Sequence, residues 1–360
     1  MESIEQTNTD SKIISFHFTG KASEYFKIWI VNGLLTVLTL GIYSAWAKVR
    51  TNRYMYGNIY LDNEPFAYTA MPVNILKGRL LALAFFVVYS LSGQYSQTLY
   101  MILTLSLLPI IPWVIVNSIR FRGKYTLYRN IPFIFKGDYL DAFKYFILIY
   151  IWVPLTLGII IPYIYYKQKE YIINNLHFGT LPIKYKGKAS TFYIAFIASG
   201  IISVLTAGFI FGIVSLLGLS HWNQILQKSV ENSASIDVSM VVTIIGIYVL
   251  FIIAFFIGSA FYKIFILNNV ISSIYCGQSQ LQCSMDYLTY IYIFVTNGIA
   301  ILCTVGLAIP WARIRYNRYL YSSISIMLKD NLDEITSMDE KDIKSLAEEL
   351  GGFLDLDIGF

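Results

Sequence analysis

The sequence predicts an all-α polytopic membrane protein. Three repeated broken-helix units, each a re-entrant hairpin, are expected to interleave with two transmembrane helix pairs, with short β-hairpin-like turns after the units. Three observations lead there. Only 14% of the 360 residues are charged while 56% are hydrophobic, against roughly 25% charged in a soluble domain. Several uncharged stretches reach the ~18 residues that suggest a span. One unit also recurs at fixed offsets along the chain, the pattern to look for before any other.

The recurrence is read residue by residue. Phe18, Gly20, Phe26, Lys27, Thr39, Leu40, Gly41 and Tyr54 reappear as Phe135, Gly137, Phe143, Lys144, Thr156, Leu157, Gly158 and Tyr171. Asn32-Gly33, Thr39, Gly41, Trp46-Ala47, Arg50, Asn52, Arg53, Tyr54 and Tyr56 reappear as Asn297-Gly298, Thr304, Gly306, Trp311-Ala312, Arg315, Asn317, Arg318, Tyr319 and Tyr321. The middle copy is the most degraded, with Tyr163 in place of Trp and Glu170 in place of Arg.

Each unit reads as two helices with a break. Residues 22–38 form the first arm and about 42–57 the second. Gly41, Gly158 and Gly306 sit at the breaks, where glycine tolerates unusual backbone angles. After the second arm, NIYLDNEPFAYT has two short strand-like runs around Asp62-Asn63, a hairpin-type turn signal. Ordinary apolar segments fall near 78–95 and 98–119, then 190–218 and 239–262; Pro109 and Pro112 are expected to kink the second of these. Gly208 and Gly212 have a spacing that permits close helix contact.

The organisation that follows is a polar N-terminal tail (1–17), a first repeat of hairpin unit plus helix pair (18–134), a second such repeat (135–282), a third hairpin unit (283–328) and an acidic tail (329–360). The N-terminal residues lack the basic-then-apolar order of a cleaved signal peptide. In the acidic tail, Ser337 and Glu340 form a capping box ahead of a helical stripe ended by Gly351-Gly352.

Charge orients the chain, because Lys and Arg concentrate in cytoplasmic loops. If all seven segments cross and the N-terminus lies outside, nine of the 27 cations are external, leaving 27 − 9 = 18 inside. If each unit enters and leaves on one side, only Lys228 is external, leaving 27 − 1 = 26 inside. The second arrangement is preferred, with both termini cytoplasmic; seven full crossings is the alternative. Residues 22–38 span about 25 Å at 1.5 Å per residue, short of a ~30 Å hydrocarbon core. Irregular backbone at membrane depth must be covered by protein or reached by water, so the breaks are expected to face the bundle interior.

Two groups of residues are candidates for function. Asn32, Gly33, Gly41, Gly158, Asn297, Gly298 and Gly306 would line a solute path at broken helices; inter-helix hydrogen bonding is the alternative role for the amides. Trp46, Arg50 and Arg53, and Trp311, Arg315 and Arg318, recur at i, i+4, i+7 and share a helix face. They would bind anionic lipid headgroups through guanidinium–phosphate pairing, or serve only as aromatic and cationic anchors.

Three scattered histidines and Cys276, Cys283 and Cys303 have no ligand spacing, so neither a metal nor a cofactor is expected. Phosphate loops, nucleophile elbows and dinucleotide fingerprints are missing from the sequence, so no enzymatic activity is expected. The cations adjoin apolar segments, which argues against nucleic acid. The expected partners are the lipid bilayer and its anionic headgroups, with a homo-oligomer open.

The runs LTLGIYSAWAKVRTNRYMYGN (38–58), FTGKASEYFKIWIVNGLL (18–35) and DLDIGF (355–360) resemble the YjgN-like family of bacterial inner-membrane proteins, which carry a domain of unknown function. The resemblance covers almost the whole chain. It implies a multi-pass inner-membrane location and supplies no activity, substrate or catalytic residue. A path for a small solute or ion is therefore the specific functional expectation, and a non-transporting scaffold or lipid-interacting protein the alternative.

Overall fold

Four tight turns set the architecture. Asp62-Asn63 and Arg129-Asn130 all take positive φ, between 48° and 64°, as the type I′ hairpin turn requires. Gly179 and Gly277 take positive φ at the first position of the other two turns. The strands they join are β3 (Ile59–Leu61) and β4 (Glu64–Tyr68), β5 (Thr126–Tyr128) and β6 (Ile131–Phe135), β7 (Leu176–Phe178) and β8 (Leu181–Tyr185), and β9 (Ile274–Cys276) and β10 (Ser279–Cys283). Their register is the same, with Tyr60, Leu127, His177 and Tyr275 opposite Pro65, Pro132, Pro182 and Gln280. The computed structural model describes residues 12–216 and 238–329. The acidic tail beyond Lys329, the first eleven residues and the segment around Lys228, expected from the sequence to be external, lie outside that range.

The hairpins join edge to edge with β1 (Lys12–Ser15), β2 (His17–Phe18) and β11 (Ile324–Leu328) into one antiparallel sheet, in the order β1-β11-β10-β9-β8-β7-β6-β5-β4-β3-β2. Its two ends, β1 and β2, are consecutive in the chain and separated only by Phe16, so the sheet nearly closes into a barrel. This corrects the all-α class predicted from the sequence: the chain is 68% helical but is organised on eleven strands. The strands are only two to five residues long, too short to leave a period-2 pattern of their own. The predicted boundaries at 17/18, 134/135 and 282/283 each fall within or beside strand residues.

Between successive hairpins the chain makes a helical excursion. The helices are α1 (Ala22–Leu38), α2 (Ser44–Gly57), α3 (Pro72–Tyr95), α4 (Gln97–Lys124), α5 (Tyr139–Phe146), α6 (Trp152–Leu155), α7 (Ile161–Asn174), α8 (Ala189–Leu216), α9 (Val238–Ser272), α10 (Tyr287–Cys303) and α11 (Ile309–Ser322). A 3₁₀ turn at Leu148–Ile151 links α5 to α6. Every excursion begins and ends on two strands that pair with each other: Phe18 with Ile59, Tyr68 with Thr126, Phe135 with Leu176, Tyr185 with Ile274, and Cys283 with Ile324. One further bond recurs at each junction. The amides of Thr19, Thr69, Lys136, Lys186 and Ser284 donate to the carbonyls of Asn58, Tyr125, Asn175, Ser273 and Ser323 at 2.8–3.0 Å. These carbonyls belong to the residues that follow α2, α4, α7, α9 and α11, so each junction satisfies one acceptor at a helix end.

The helices other than the short α6 therefore pack as a ring, each against the one before and the one after, with α5 against α7 and α11 returning to α1. Four described helices are long and apolar enough to cross a membrane: Pro72–Tyr95, Gln97–Lys124, and the segments Ala189–Gly212 and Tyr248–Ser272 of α8 and α9. The arms α1 and α2 have 17 and 14 residues.

The breaks share one geometry. Gly41, Gly158 and Gly306 donate to Thr36, Val153 and Ile301 at 2.8–2.9 Å, and Leu40, Leu157 and Val305 donate to Val37, Pro154 and Leu302. Those two bonds define a Schellman motif. The residue in the left-handed conformation is Leu40, Leu157 or Val305, with φ of 47–50°. These side chains are 91–96% exposed, so the breaks are the outer tips of the hairpins rather than parts of the interior expected from the sequence. A hairpin whose arms both end on the sheet can only place its bend at the far end.

Candidate functional site

The described residues converge on the axis where the helix ring meets the sheet. Each of α2, α4, α7, α9 and α11 ends one residue before its strand, so five strand-opening side chains, Ile59, Thr126, Leu176, Ile274 and Ile324, come round one opening. They line a chamber of about 610 Å³ together with the last turns of the same five helices. Below it lies a second cavity of about 250 Å³, walled by Leu61, Tyr128, Phe178, Cys276 and Ile326, one residue from each of β3, β5, β7, β9 and β11. Phe16, Phe66, Phe133 and Leu281 line both. The two spaces are thus adjoining compartments on one axis.

Chemistry differs between them. The lower cavity is apolar, part of a cluster with Ile14, Ile131 and Leu328 at its core. The Tyr128 hydroxyl on its wall is spent on the Leu61 carbonyl at 2.9 Å, and burial pushes that phenol's pKa up, so it stays a donor at neutral pH. The upper chamber is also mainly aliphatic and aromatic, but Arg122 of α4 and Lys169 of α7 face it. Both are exposed, and neither makes an ion pair among the described residues. Gly123, beside Arg122, is required here: a Cβ would lie 2.6 Å from the Phe133 carbonyl oxygen, so only glycine lets α4 approach β6 this closely.

The candidates read from the sequence lie elsewhere. Asn32 is buried, and its Nδ2 donates to the Ala47 carbonyl at 3.3 Å and to Thr51 Oγ1 at 3.4 Å. Asn297 is buried and donates to the Ala312 carbonyl at 3.2 Å. Each amide thus ties the two arms of its own hairpin. A Cβ at Gly33 or Gly298 would meet nothing within 4 Å, so neither marks a close contact. Gly41, Gly158 and Gly306 are at the three separate tips. The polar contacts of the two asparagines stay within two different hairpins.

The aromatic and basic face is divided. Arg315 donates from Nη1 to Thr296 Oγ1 at 2.6 Å and to Asn297 Oδ1 at 3.1 Å, and its guanidinium lies 5.1 Å from the Trp311 ring and 5.2 Å from that of Tyr292. Arg53 Nη2 donates to the Ala70 carbonyl at 3.2 Å, and Arg318 Nη2 to the Gly20 carbonyl at 3.1 Å. Both acceptors precede the next helix round the ring. Arg120 and Asn268 make the same bond to Gly137 and Met285 at 2.7 and 3.0 Å. Arg50 is exposed, and Trp46 stacks on Tyr43. In the middle unit Glu170 instead pairs with Lys167 at 2.6 Å.

Sequence reasoning missed the axial chamber. Arg122 lies in RFRGKY and Lys169 in KQKE, runs that read as cytoplasmic flanks. Nothing in them says that five distant helix ends meet.

A family profile described as "Bacterial protein of unknown function (DUF898)" matches residues 14–353. Inner membrane protein YjgN of Salmonella typhimurium (strain LT2) is 37% identical over 129 residues, 36% of this chain and 33% of that protein. Inner membrane protein YjgN of Escherichia coli O157:H7 is 32% identical over 123 residues, 34% of this chain and 31% of that protein. The protein of the same name from Escherichia coli K12 is 31% identical over 123 residues, with the same shares. The chain spans about a third of the length of these curated relatives. No solved structure matches it.

Proposed function

Because the chain belongs to the DUF898 family of bacterial proteins of unknown function, we propose that it is a non-enzymatic, multi-pass inner-membrane protein that binds lipid and does not conduct a solute or ion. The names of its relatives and the four apolar helices support the location. The observation that carries the lipid reading is the axis. The place where a path would leave the helix ring is an apolar barrel whose core is Leu61, Tyr128, Phe178 and Ile326. An ion there would lose hydration without gaining ligands, which is costly.

The junctions support a particular topology. With the sheet on one side of the bilayer, every excursion that starts and ends on paired strands returns to that side. α3 and α4, about 36 and 42 Å long at 1.5 Å per residue, cross and come back; α1 and α2, about 25 and 21 Å, dip and come back. The hairpin tips then lie in hydrocarbon, which fits Leu40, Leu157 and Val305 there: each accepts a left-handed backbone that disfavours L-residues by about 1–2 kcal/mol in order to present an apolar side chain. The cation count supports a cytoplasmic sheet and cytoplasmic chain ends.

Reconstitution tests the function. The purified chain in vesicles should retain phosphatidylglycerol over phosphatidylcholine and leave potassium, chloride and glycerol flux at the level of empty vesicles. Flux that falls on Asn32→Ala would restore the path reading.

A further inference from the structure

Resting on that lipid reading, we propose that the axial chamber is a binding site for a single-chain amphiphile with an anionic head, its acyl chain in the barrel cavity and its head at Arg122 and Lys169. Two separate features support it. The first is shape. The spaces of about 610 and 250 Å³ adjoin through a shared wall of Phe16, Phe66, Phe133 and Leu281. The upper one has the size usual for a small-molecule site, and the lower one extends it with apolar walls. Such a wall suits methylene groups and offers a charged or polar solute nothing to bond.

The second feature is charge. Arg122 and Lys169 come from different helices, α4 and α7, and both face the upper space. No carboxylate among the described residues pairs with either. The Arg120 and Arg53 guanidiniums, by contrast, are spent on backbone carbonyls. Two cations at the head of an apolar well match a carboxylate or phosphate attached to one hydrocarbon chain. A two-chain lipid would have to bring a second chain through the same ring of five strand-opening residues, which encloses one axial space.

A long-chain fatty acid and a lysophospholipid share this chemistry, and the experiment separates them. The full chain, in phosphatidylcholine nanodiscs, is exposed to palmitate carrying a diazirine near its methyl end, irradiated and mapped by mass spectrometry. Crosslinks are expected on barrel residues such as Tyr128, Phe178 or Ile326. Arg122→Gln with Lys169→Gln should cut them at least fivefold, and Phe178→Trp, which fills the well and keeps both cations, should cut them as well. Competition by unlabelled palmitate identifies a carboxylate ligand, and stronger competition by lysophosphatidylglycerol identifies a phosphate ligand. Displacement by uncharged hexadecanol as effective as by either anion would overturn the proposal, as would crosslinks confined to the outer faces of the helices. In that second case retention of phosphatidylglycerol in the vesicle assay would keep the lipid reading alive, whereas loss of both would end it.

Discussion

Arg318 binds the carbonyl of Gly20 across almost the whole length of the chain, and three other helices make the same bond to the start of their neighbours. A second bond points the other way. The Tyr54, Tyr171 and Tyr319 hydroxyls donate to the carbonyls of Lys21, Asp138 and Asp286, within their own units, at 2.7–3.0 Å. The recurring Arg-Tyr step thus links a hairpin both to itself and to the next one. The step is legible in the sequence as a repeat, but its meaning is not. A backbone carbonyl has no residue-type signature, and the acceptor lies in the following unit. Charge-assisted hydrogen bonds contribute about 1.5–3 kcal/mol, so Arg318→Ala should lower the thermal unfolding midpoint of the detergent-solubilised protein by several degrees. Arg50→Ala, on the exposed side of α2, should shift it by about a degree or less.

At the scale of elements, α1 is observed at the residues the sequence indicates, because its apolar run and its break are both local signals. The Asp62-Asn63 hairpin is legible for the same reason. The hairpin of β7 and β8 shares the 117-residue offset that carries Pro65 and Tyr68 to Pro182 and Tyr185. The hairpins that follow α4 and α9 are less legible because the helices before them differ greatly in length from those of the repeated units, 28 residues in α4 and 35 in α9 against 14 in α2 and α7. The helix tips carry their own prediction. If Leu40 and Val305 lie in hydrocarbon, Leu40→Lys with Val305→Lys places two cations there, each at a cost of about 2.5–3.5 kcal/mol at full depth and less if it reaches the interface. The double variant should unfold at a clearly lower temperature in nanodiscs. An unchanged midpoint would place the tips in water.

For the molecule as a whole, the sheet acts as the hub from which all the helical excursions hang. β1 and β11 pair Lys12 with Leu328, so the described ends of the chain stand where a further hairpin turn would be. The three-unit reading from the sequence captured three of these excursions and treated the others as ordinary helix pairs. On the proposed topology they are alternatives at the same kind of junction, long enough to cross or short enough to dip. The most direct measurement is therefore cysteine accessibility in intact cells, starting from a chain whose native Cys276, Cys283 and Cys303 are replaced by alanine. Single cysteines at Asp62, Arg129, Thr180 and Gln278, in the four hairpin turns, should react with a membrane-impermeant maleimide only after the inner membrane is opened, while one at Gln94, in the last turn of α3, should react from outside. Labelling of even one hairpin turn in intact cells would contradict a sheet held wholly on the cytoplasmic side.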